Sequence, residues 1–173
     1  HPVTELITGV DLVEQMIRVA AGEKLPFAQS DIKLTGWAIE NRLYAEDPGN
    51  DFLPAAGKIS VWHPTAAADV RTDAGIAQGQ SISPFYDPMV AKIIAHGSNR
   101  EQARQRLIEG LSDTAMFGPA NNRDFLLRVL DDPTFAAGEA TTALLDEVWQ
   151  GDFADPPPPP GDSCGWCTWW CCC

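Results

Sequence analysis

The sequence predicts an α+β fold in which a strand-rich middle lies between helical ends. Segments near both ends carry apolar residues at helical spacing, whereas short alternating runs bounded by glycine and proline occupy the middle. Strands and helices are grouped in this way instead of alternating regularly, as they would in a doubly wound parallel sheet. We find no internal repeat, so a single α+β domain with antiparallel strands is expected.

Length, composition and charge favour one compact, soluble domain. The 173 residues are 45% hydrophobic, which is enough for a proper core. Twelve Lys and Arg against 24 Asp and Glu give a net charge of −12 without a basic stripe, which argues against nucleic acid or an anionic membrane as a partner. No apolar run approaches the roughly 20 residues that span a bilayer, and the beginning lacks a signal-peptide layout. We therefore expect a cytoplasmic protein.

The first predicted element is a helix over residues 11–21. Asp11 and Glu14 have the spacing of a capping box, and Gly22 closes the segment. The apolar residues on one face of such a helix are Leu12, Met16 and Val19. These features together predict an amphipathic helix.

Four segments of the middle predict strands. They are 32–45, 58–62, 69–72 and 89–95. The first alternates, with Ile39 and Leu43 on one face and Arg42 on the other. Turn residues separate the shorter segments, and a β-meander is the simplest arrangement of consecutive short strands. Pro84 and Pro88 are expected at strand ends, because proline cannot donate to a sheet ladder.

Helical spacing returns in the second half of the chain. Apolar positions that recur every four residues predict a helix that ends near Leu111. Ser98 or Asn99 is its expected N-cap. Residues 121–130 and 140–149 also have helical patterns. These segments form the second helical end of the predicted fold.

The last 22 residues differ from the rest in composition. Segment 152–173 holds five consecutive prolines, all five cysteines and three of the six tryptophans. Cys164 and Cys167 form a C-x-x-C pair, which could serve as a redox site or as half of a zinc site. Zinc sites seldom contain three adjacent cysteines at a chain end, so a shifted reading frame or a chimeric sequence is the favoured interpretation of residues 151–173.

Five blocks occur in an order and spacing that chance does not readily produce. They are HPVTELITGVDLVEQMIRVAAGEKL, GWAIENRLYAEDP, FLPAAGKISVWHP, VRTDAGIAQGQSISPFYDPMVAKIIAHG and NREQA. In these blocks the sequence resembles the biotin carboxylase family from His1 to about Glu147. The form DPMVAK is similar to that of subunits acting on acyl-CoA, such as propionyl-CoA or methylcrotonyl-CoA carboxylases.

The resemblance implies an ATP-dependent ligase. Members of the family use ATP to activate bicarbonate as carboxyphosphate and then carboxylate biotin on a carrier protein, with Mg²⁺ bridging the phosphates. The implied cofactors are therefore biotin, ATP and Mg²⁺. The implied partners are a biotin carboxyl carrier domain, a carboxyltransferase subunit and a second copy of the chain in a homodimer.

The resemblance also implies a division of the chain into three parts. Residues 1–25 are expected to be the C-terminal remnant of an ATP-grasp domain, residues 26–150 the biotin carboxylase C-terminal domain, and residues 151–173 a tail. The chain opens on His1-Pro2 without an initiator methionine, so we expect its beginning to belong to a longer protein.

Most of the implied active site lies outside these blocks. In the family, the phosphate loop, the ATP-contacting lysines and the metal-binding carboxylates all precede the HPVTE motif. Because phosphoryl transfer depends on positioning and charge neutralisation, we expect the isolated chain to be inactive and to bind none of these cofactors tightly. Two other functions stay open: a non-catalytic interaction protein that binds carboxylase subunits or biotin carrier protein, and a thiol or metal module formed by the tail.

Arg42 is the predicted catalytic residue. The resemblance places it beside biotin and bicarbonate, where it stabilises the enolate-like ureido oxygen during carboxyl transfer. A guanidinium suits this role because it is always charged and its fixed donors stabilise developing oxyanion charge. The alternative is an exposed ion pair with Glu40, Glu46 or Asp47, worth at most about 1 kcal/mol.

Other polar residues of the blocks are assigned structural roles. His1 and Glu5 are expected to pack or to stabilise the start of a helix. His63 and His96 lack a second ligand at metal-binding spacing and are expected at the surface or in packing contacts. No metal site is therefore predicted.

Four further positions lie in the strand-rich middle. Asp87 with Pro88 is expected to form a turn, and Lys92 to be a strand residue with a solvated head group. Arg71 resembles the dimer contact of the family. Ala68 stands where some members carry a large aromatic residue, and this departure weakens the prediction of a homodimer through this surface.

Overall fold

The computed structural model describes residues 1–147, Trp149 and Phe153. Its helices are α1 (Pro2–Thr8), α2 (Leu12–Ala20), α3 (Arg100–Asp113), α4 (Arg123–Asp131), α5 (Pro133–Ala137) and α6 (Leu144–Glu147). Its strands are β1 (Trp37–Tyr44), β2 (Glu46–Asp47), β3 (Leu53–Pro54), β4 (Gly57–Lys58), β5 (Val61–His63), β6 (Val70–Ala74), β7 (Ser81–Ile82), β8 (Met89–Gly97) and β9 (Ala115–Phe117). Helices flank a strand-rich middle, which confirms the predicted α+β class.

The largest sheet has three antiparallel strands in the order β1, β8, β6. Its central strand is β8, in which Ile93 and Ile94 point to opposite faces and are both fully buried. Burial on both faces explains why β8 is an almost continuous apolar run. Three of the four predicted strands belong to this sheet, although β1 begins only at Trp37.

One face of this sheet packs against α3 and α4. The buried residues in this contact are Ile93, Ala95, Leu107, Leu111 and Leu130. As predicted, α3 begins after Asn99, whose side chain accepts a hydrogen bond of 2.9 Å from the Gln102 amide. The apolar residues of α3 recur every four positions and so share the side that covers the sheet.

The predicted β-meander is wrong. Segment 57–63 changes partner along its length, since β4 pairs with β7 and β5 pairs with β9. The Ile59 amide donates to the Gln80 carbonyl oxygen at 2.8 Å. The next amide, of Ser60, donates to the Phe117 carbonyl oxygen, also at 2.8 Å. Successive amides of an extended chain point in opposite directions, so residues distant in sequence pair this segment on both sides.

The chain begins with two short helices. The first, α1, has no counterpart in the sequence predictions; Pro2 occupies its first position, where no amide donor is needed, and α1 contacts β1 and β8. It ends at Gly9, whose φ of 70° lies in the left-handed region. The helix predicted over residues 11–21 is confirmed as α2, and Asp11 caps it by accepting a hydrogen bond of 2.9 Å from the Glu14 amide.

Aromatic rings hold the chain beyond α6 against α4. The ring centroid of Phe125 lies 5.1 Å from that of Phe52, 5.5 Å from that of Trp149 and 5.8 Å from that of Phe153. Trp149 also donates from Nε1 to Asp132 at 3.1 Å. Edge-on aromatic contacts of this kind add stability beyond the burial of their area. Packing therefore extends to Phe153, which falls within the predicted tail.

The helices predicted near the end have different outcomes. The helix predicted over 121–130 is confirmed as α4. The pattern over 140–149 corresponds, among the described residues, to the single turn α6. Apart from Phe153, the predicted tail 151–173 with Cys164 and Cys167 lies outside the described residues.

Candidate functional site

The face of the sheet opposite α3 carries a row of charged side chains. Arg42 of β1 lies directly opposite Lys92 of β8, and Asp73 of β6 lies opposite Lys92 on its other side. Glu40 and Arg71 lie two residues away along their strands and so project from the same face. Five ionisable groups from three strands therefore share one surface, which we call the charged face.

Glu40 is a shared acceptor on the charged face. Its Oε1 accepts a hydrogen bond of 3.3 Å from Nε of Arg42 and lies 3.4 Å from Nζ of Lys92. The side chains of Glu40 and Lys92 are 15% and 24% exposed, whereas that of Arg42 is 59% exposed. Two like charges opposite each other in adjacent strands repel, and the carboxylate between them offsets that repulsion. Lys92, predicted to have a solvated head group, is thus partly buried and held by Glu40.

Arg42 is a permanently charged group at the exposed edge of this cluster. Its pKa is raised, first by a hydrogen bond with the Tyr44 side chain and then by Glu40. The predicted ion pair with Glu40 is confirmed, while the catalytic role of Arg42 stays a prediction. Glu46, the second predicted partner, has a different environment, because burial and then the charge of Asp87 raise the pKa of its carboxyl group.

The main chain around Arg42 is held by Asn122, the buried residue that precedes α4. Its Nδ2 donates to the carbonyl oxygen of Arg42 at 3.2 Å, and its Oδ1 accepts from the Tyr44 amide at 2.8 Å. The two bonds enclose Leu43, after which β1 shifts register against β8. The sequence does not reveal the role of Asn122, because an asparagine before a helix predicts a local cap and not a contact across 80 residues.

Arg71 occupies the other end of the charged face and is bound within the chain. It donates to both carboxylate oxygens of Asp73, at 2.8 and 2.7 Å, and to Oε2 of Glu5 in α1 at 2.7 Å. The hydrogen bonds to Asp73 and then to Glu5 raise the pKa of Arg71. Glu5 therefore has a structural role, as expected, but through an ion pair that was not predicted, and the dimer contact of Arg71 stays a prediction.

The predicted histidines have no metal-binding neighbourhood among the described residues. Nε2 of His96 lies 3.0 Å from the carbonyl oxygen of Thr35, and His63 is exposed at the end of β5. His1 precedes α1 without a side-chain cap hydrogen bond. In the described ranges, no group of three or more His, Cys, Asp or Glu side chains is arranged to hold a metal ion. Nor does any helix of that part of the chain have the length and apolar character of a membrane span.

The predicted turn at Asp87 is confirmed and borders a shallow groove. Oδ1 of Asp87 accepts a hydrogen bond of 2.8 Å from the Met89 amide. The groove has a volume of about 340 Å³ and a partly apolar lining that includes Ile59, Ile82 and Val90. Its described lining contains no Lys, Arg or His, so the charged face is the better candidate for binding an anion.

Comparison with known proteins identifies the family. The model of the biotin carboxylase C-terminal domain matches residues 40–147, more than half of the chain. The chain belongs to the biotin carboxylase family. The model of the carbamoyl-phosphate synthase L chain, ATP binding domain, matches residues 1–28 of this biotin carboxylase chain. The predicted family is thus confirmed.

Two relatives illustrate the extent of the match. The propionyl-CoA carboxylase alpha chain of Ruegeria pomeroyi is 47% identical, over 88% of this chain and 25% of its own length. Biotin carboxylase 1 of Bacillus subtilis is 40% identical, over 84% of this chain and 32% of its own length. The chain therefore spans between a quarter and a third of these curated relatives.

Solved biotin carboxylase structures have the same fold. One is the biotin carboxylase domain dimer of 2-oxoglutarate carboxylase from Hydrogenobacter thermophilus, in complex with MgADP, ADP and bicarbonate. It matches with a TM-score of 0.86 and 36% identity, over 90% of this chain and 34% of that chain. The biotin carboxylase subunit of pyruvate carboxylase matches with a TM-score of 0.86 and 33% identity, over 90% of this chain and 34% of that chain. The predicted biotin carboxylase C-terminal fold is confirmed.

Proposed function

We propose that this chain is part of an ATP-dependent biotin carboxylase that carboxylates biotin on a carrier protein with bicarbonate, within an acyl-CoA carboxylase. The observation that carries the proposal is Arg42, an exposed guanidinium on the sheet of a biotin carboxylase C-terminal domain. Relatives named propionyl-CoA carboxylase alpha chain and biotin carboxylase support this chemistry. Family membership does not favour the alternative of a non-catalytic interaction protein.

Arg42 has the properties that carboxyl transfer requires. Bicarbonate carries negative charge, and negative charge develops on the ureido oxygen of biotin when the ureido nitrogen loses its proton, before that nitrogen attacks the carboxyl carbon. A guanidinium with fixed donors stabilises both charges. Because Asn122 holds the main chain of Arg42 and Glu40 holds its side chain, little reorganisation is needed when the anion arrives. A relative with the same fold has been solved with bicarbonate, which supports an anion substrate here.

ATP and Mg²⁺ are the further cofactors that the proposed reaction requires. When bound, ATP supplies the phosphoryl group that activates bicarbonate, and Mg²⁺ neutralises its phosphates. The described ranges contain no group of three or more His, Cys, Asp or Glu side chains that could hold a metal ion. We therefore assign these residues no part in phosphoryl transfer, and we expect the isolated chain to lack turnover and to bind none of the cofactors tightly.

The proposed domain division places residues 1–25 at the end of an ATP-grasp domain and residues 26–150 in the biotin carboxylase C-terminal domain. The helix α2 supports this division, because Met16 and Ile17 on its apolar face are 70% and 66% exposed. An exposed apolar helix face is the kind of surface that another element covers. The match of residues 1–28 to an ATP-binding domain model supports the ATP-grasp domain as that element.

The proposed partners are a biotin carboxyl carrier domain, a carboxyltransferase subunit and a second copy of the chain. Relatives named as alpha chains of propionyl-CoA and methylcrotonoyl-CoA carboxylases support the first two. The domain dimer of the Hydrogenobacter thermophilus relative supports the homodimer. We also propose a cytoplasmic location, although several animal relatives are named as mitochondrial.

The experiment that tests this function is a hybrid enzyme. Residues 1–153 replace the matching segment of the Ruegeria pomeroyi alpha chain, which is 47% identical. Bicarbonate-dependent ATP hydrolysis and biotin carboxylation are measured in the hybrid and in a control that carries the same segment of the Bacillus subtilis relative. We expect turnover from both enzymes and none from the isolated chain. An inactive hybrid beside an active control would contradict the proposal.

A further inference from the structure

We infer that Glu40, held in place by Lys92, positions Arg42 for carboxyl transfer. This inference rests on the proposed function and adds two positioning residues to it. The starting observation is a single atom, Oε1 of Glu40, which lies 3.3 Å from Nε of Arg42 and 3.4 Å from Nζ of Lys92. Glu40 acts on Arg42 and Lys92 acts on Glu40, so neither needs to touch the substrate.

Glu40 has a largely dry environment that directs it toward these two cations. Its cross-strand neighbour is Ile94, which is fully buried and has no polar side-chain atom. The side chain of Glu40 is itself 15% exposed, so water solvates its charge poorly. A carboxylate in such a position is stabilised by the cations beside it, which are Arg42 and Lys92.

The third cation of the charged face does not compete for Glu40. Arg71 lies opposite Ile94 on the far strand, but it is bound by Asp73 and Glu5. The charged face therefore separates into two sets of paired side chains. The Arg71 set consists of Arg71, Asp73 and Glu5, and the Arg42 set consists of Arg42, Glu40 and Lys92. One cation with two carboxylates gives the Arg71 set a net charge of −1, whereas two cations with one carboxylate give the Arg42 set a net charge of +1.

The Arg42 set matches an anion in both charge and geometry. Its single net positive charge complements the single negative charge of bicarbonate. Arg42 is the exposed member of the set, and a contact through Nε orients its guanidinium plane. The cation is thus oriented before the anion binds, which is how preorganised donors accelerate a reaction.

Glu40→Gln in the hybrid enzyme separates positioning from charge. The substitution keeps the shape of the side chain, adds one net positive charge beside Arg42 and replaces the charged acceptor of the guanidinium with a weaker amide oxygen, while the hydrogen bond between Arg42 and the Tyr44 side chain remains. We expect kcat for biotin carboxylation to fall about tenfold while the KM for bicarbonate stays the same or falls and the KM for ATP is unchanged. A merely structural role would lower the melting temperature without producing this split.

Lys92 supplies an independent test of the same contact. Lys92→Met keeps the apolar stem and is expected to lower kcat about threefold alone, yet to add nothing to Glu40→Gln, because both changes act through one interaction. The double variant E40K/K92E places a carboxylate directly opposite Arg42. Its kcat is expected to exceed that of E40K alone by about fivefold or more, since a cross-strand ion pair replaces the lost anchor.

Glu14→Gln is the matched control, because Glu14 is an exposed carboxylate that accepts from Nε of another arginine, Arg18, at 2.8 Å. We expect it to leave kcat and both KM values unchanged. A kcat for Glu40→Gln within about twofold of the unsubstituted hybrid overturns the positioning role alone. If Glu40→Gln has a lowered melting temperature, the swapped pair decides instead. A kcat of E40K/K92E no higher than that of E40K then overturns the positioning role. An inactive unsubstituted hybrid overturns the proposed function as well, whereas full turnover after Arg42→Ala overturns the role of Arg42 and with it the positioning role.

Discussion

Glu5 and Arg71, 66 residues apart, form an ion pair of 2.7 Å that joins α1 to β6. The other oxygen of Glu5 accepts a hydrogen bond of 3.0 Å from the Leu12 amide in the first turn of α2. One side chain therefore links both N-terminal helices to the sheet that carries Arg42. The hydrogen bond from Arg71 is the main cause of a lowered pKa for Glu5.

This lowered pKa predicts how the stability of the chain depends on pH. A depressed folded-state pKa stabilises the folded chain above the ordinary value of 4.5, and that stabilisation is lost as the pH falls through the folded-state value. Glu5→Gln should therefore lower the free energy of unfolding at pH 7, and the difference from the unsubstituted chain should shrink at pH 3. Urea denaturation at the two pH values measures this. An equal cost at both pH values would exclude the ion pair as its source.

Asn122→Ala should destabilise the fold through the main chain of Arg42. The substitution removes two long-range hydrogen bonds and leaves the Arg42 carbonyl and the Tyr44 amide without these partners. We expect the free energy of unfolding to fall by about 2 kcal/mol, as is typical when buried groups lose their partners. Asn50→Ala, in an exposed turn, is the control and should cost less than about 0.5 kcal/mol. Similar urea midpoints for the two variants would refute the role of Asn122.

The aromatic contacts at the end of the described chain predict where it can be shortened. A chain that ends after Phe153 keeps the ring contacts of 5.1 Å with Phe52 and 5.8 Å with Phe125. A chain that ends after Gly151 loses them and should melt about 3 °C lower. Both should be more soluble than the full chain, because residues 154–173 contain five cysteines and three tryptophans. Calorimetry and sedimentation of the three chains provide the comparison, and equal melting temperatures would show that Phe153 contributes nothing.

Local patterns predicted those features that depend on neighbours in sequence. The four-residue spacing in α3 and the cap at Asn99 identified that helix, and the alternation around Ile39 and Leu43 identified β1 with Arg42 on its opposite face. The spacing of two also placed Glu40 beside Arg42. The ion pair between them follows from the same alternation, because residues two apart in a strand share a face.

Features that depend on pairing between distant parts of the chain could not be predicted from the sequence. Nothing in the segment 57–63 indicates that its two halves pair with β7 and β9, which made a local meander the simplest hypothesis. The neighbours of Glu40 across the sheet depend on the register of β8, and a shift of one residue would have turned Lys92 to the other face. Asn122 and Glu5 act across 80 and 66 residues, distances at which sequence periodicity carries no information.

The most direct test of the central claim is the rate of biotin carboxylation by the hybrid enzyme with Arg42 unchanged, replaced by Lys and replaced by Ala. Because Arg42 is 59% exposed and Lys92 still pairs with Glu40, both variants should stay folded, with at most a small drop in melting temperature. We expect kcat to fall at least about 100-fold for Arg42→Ala and to recover little with Lys, since an ammonium lacks the planar donors of the guanidinium. Carboxylation within about threefold of the unsubstituted hybrid in both variants would contradict the role assigned to Arg42.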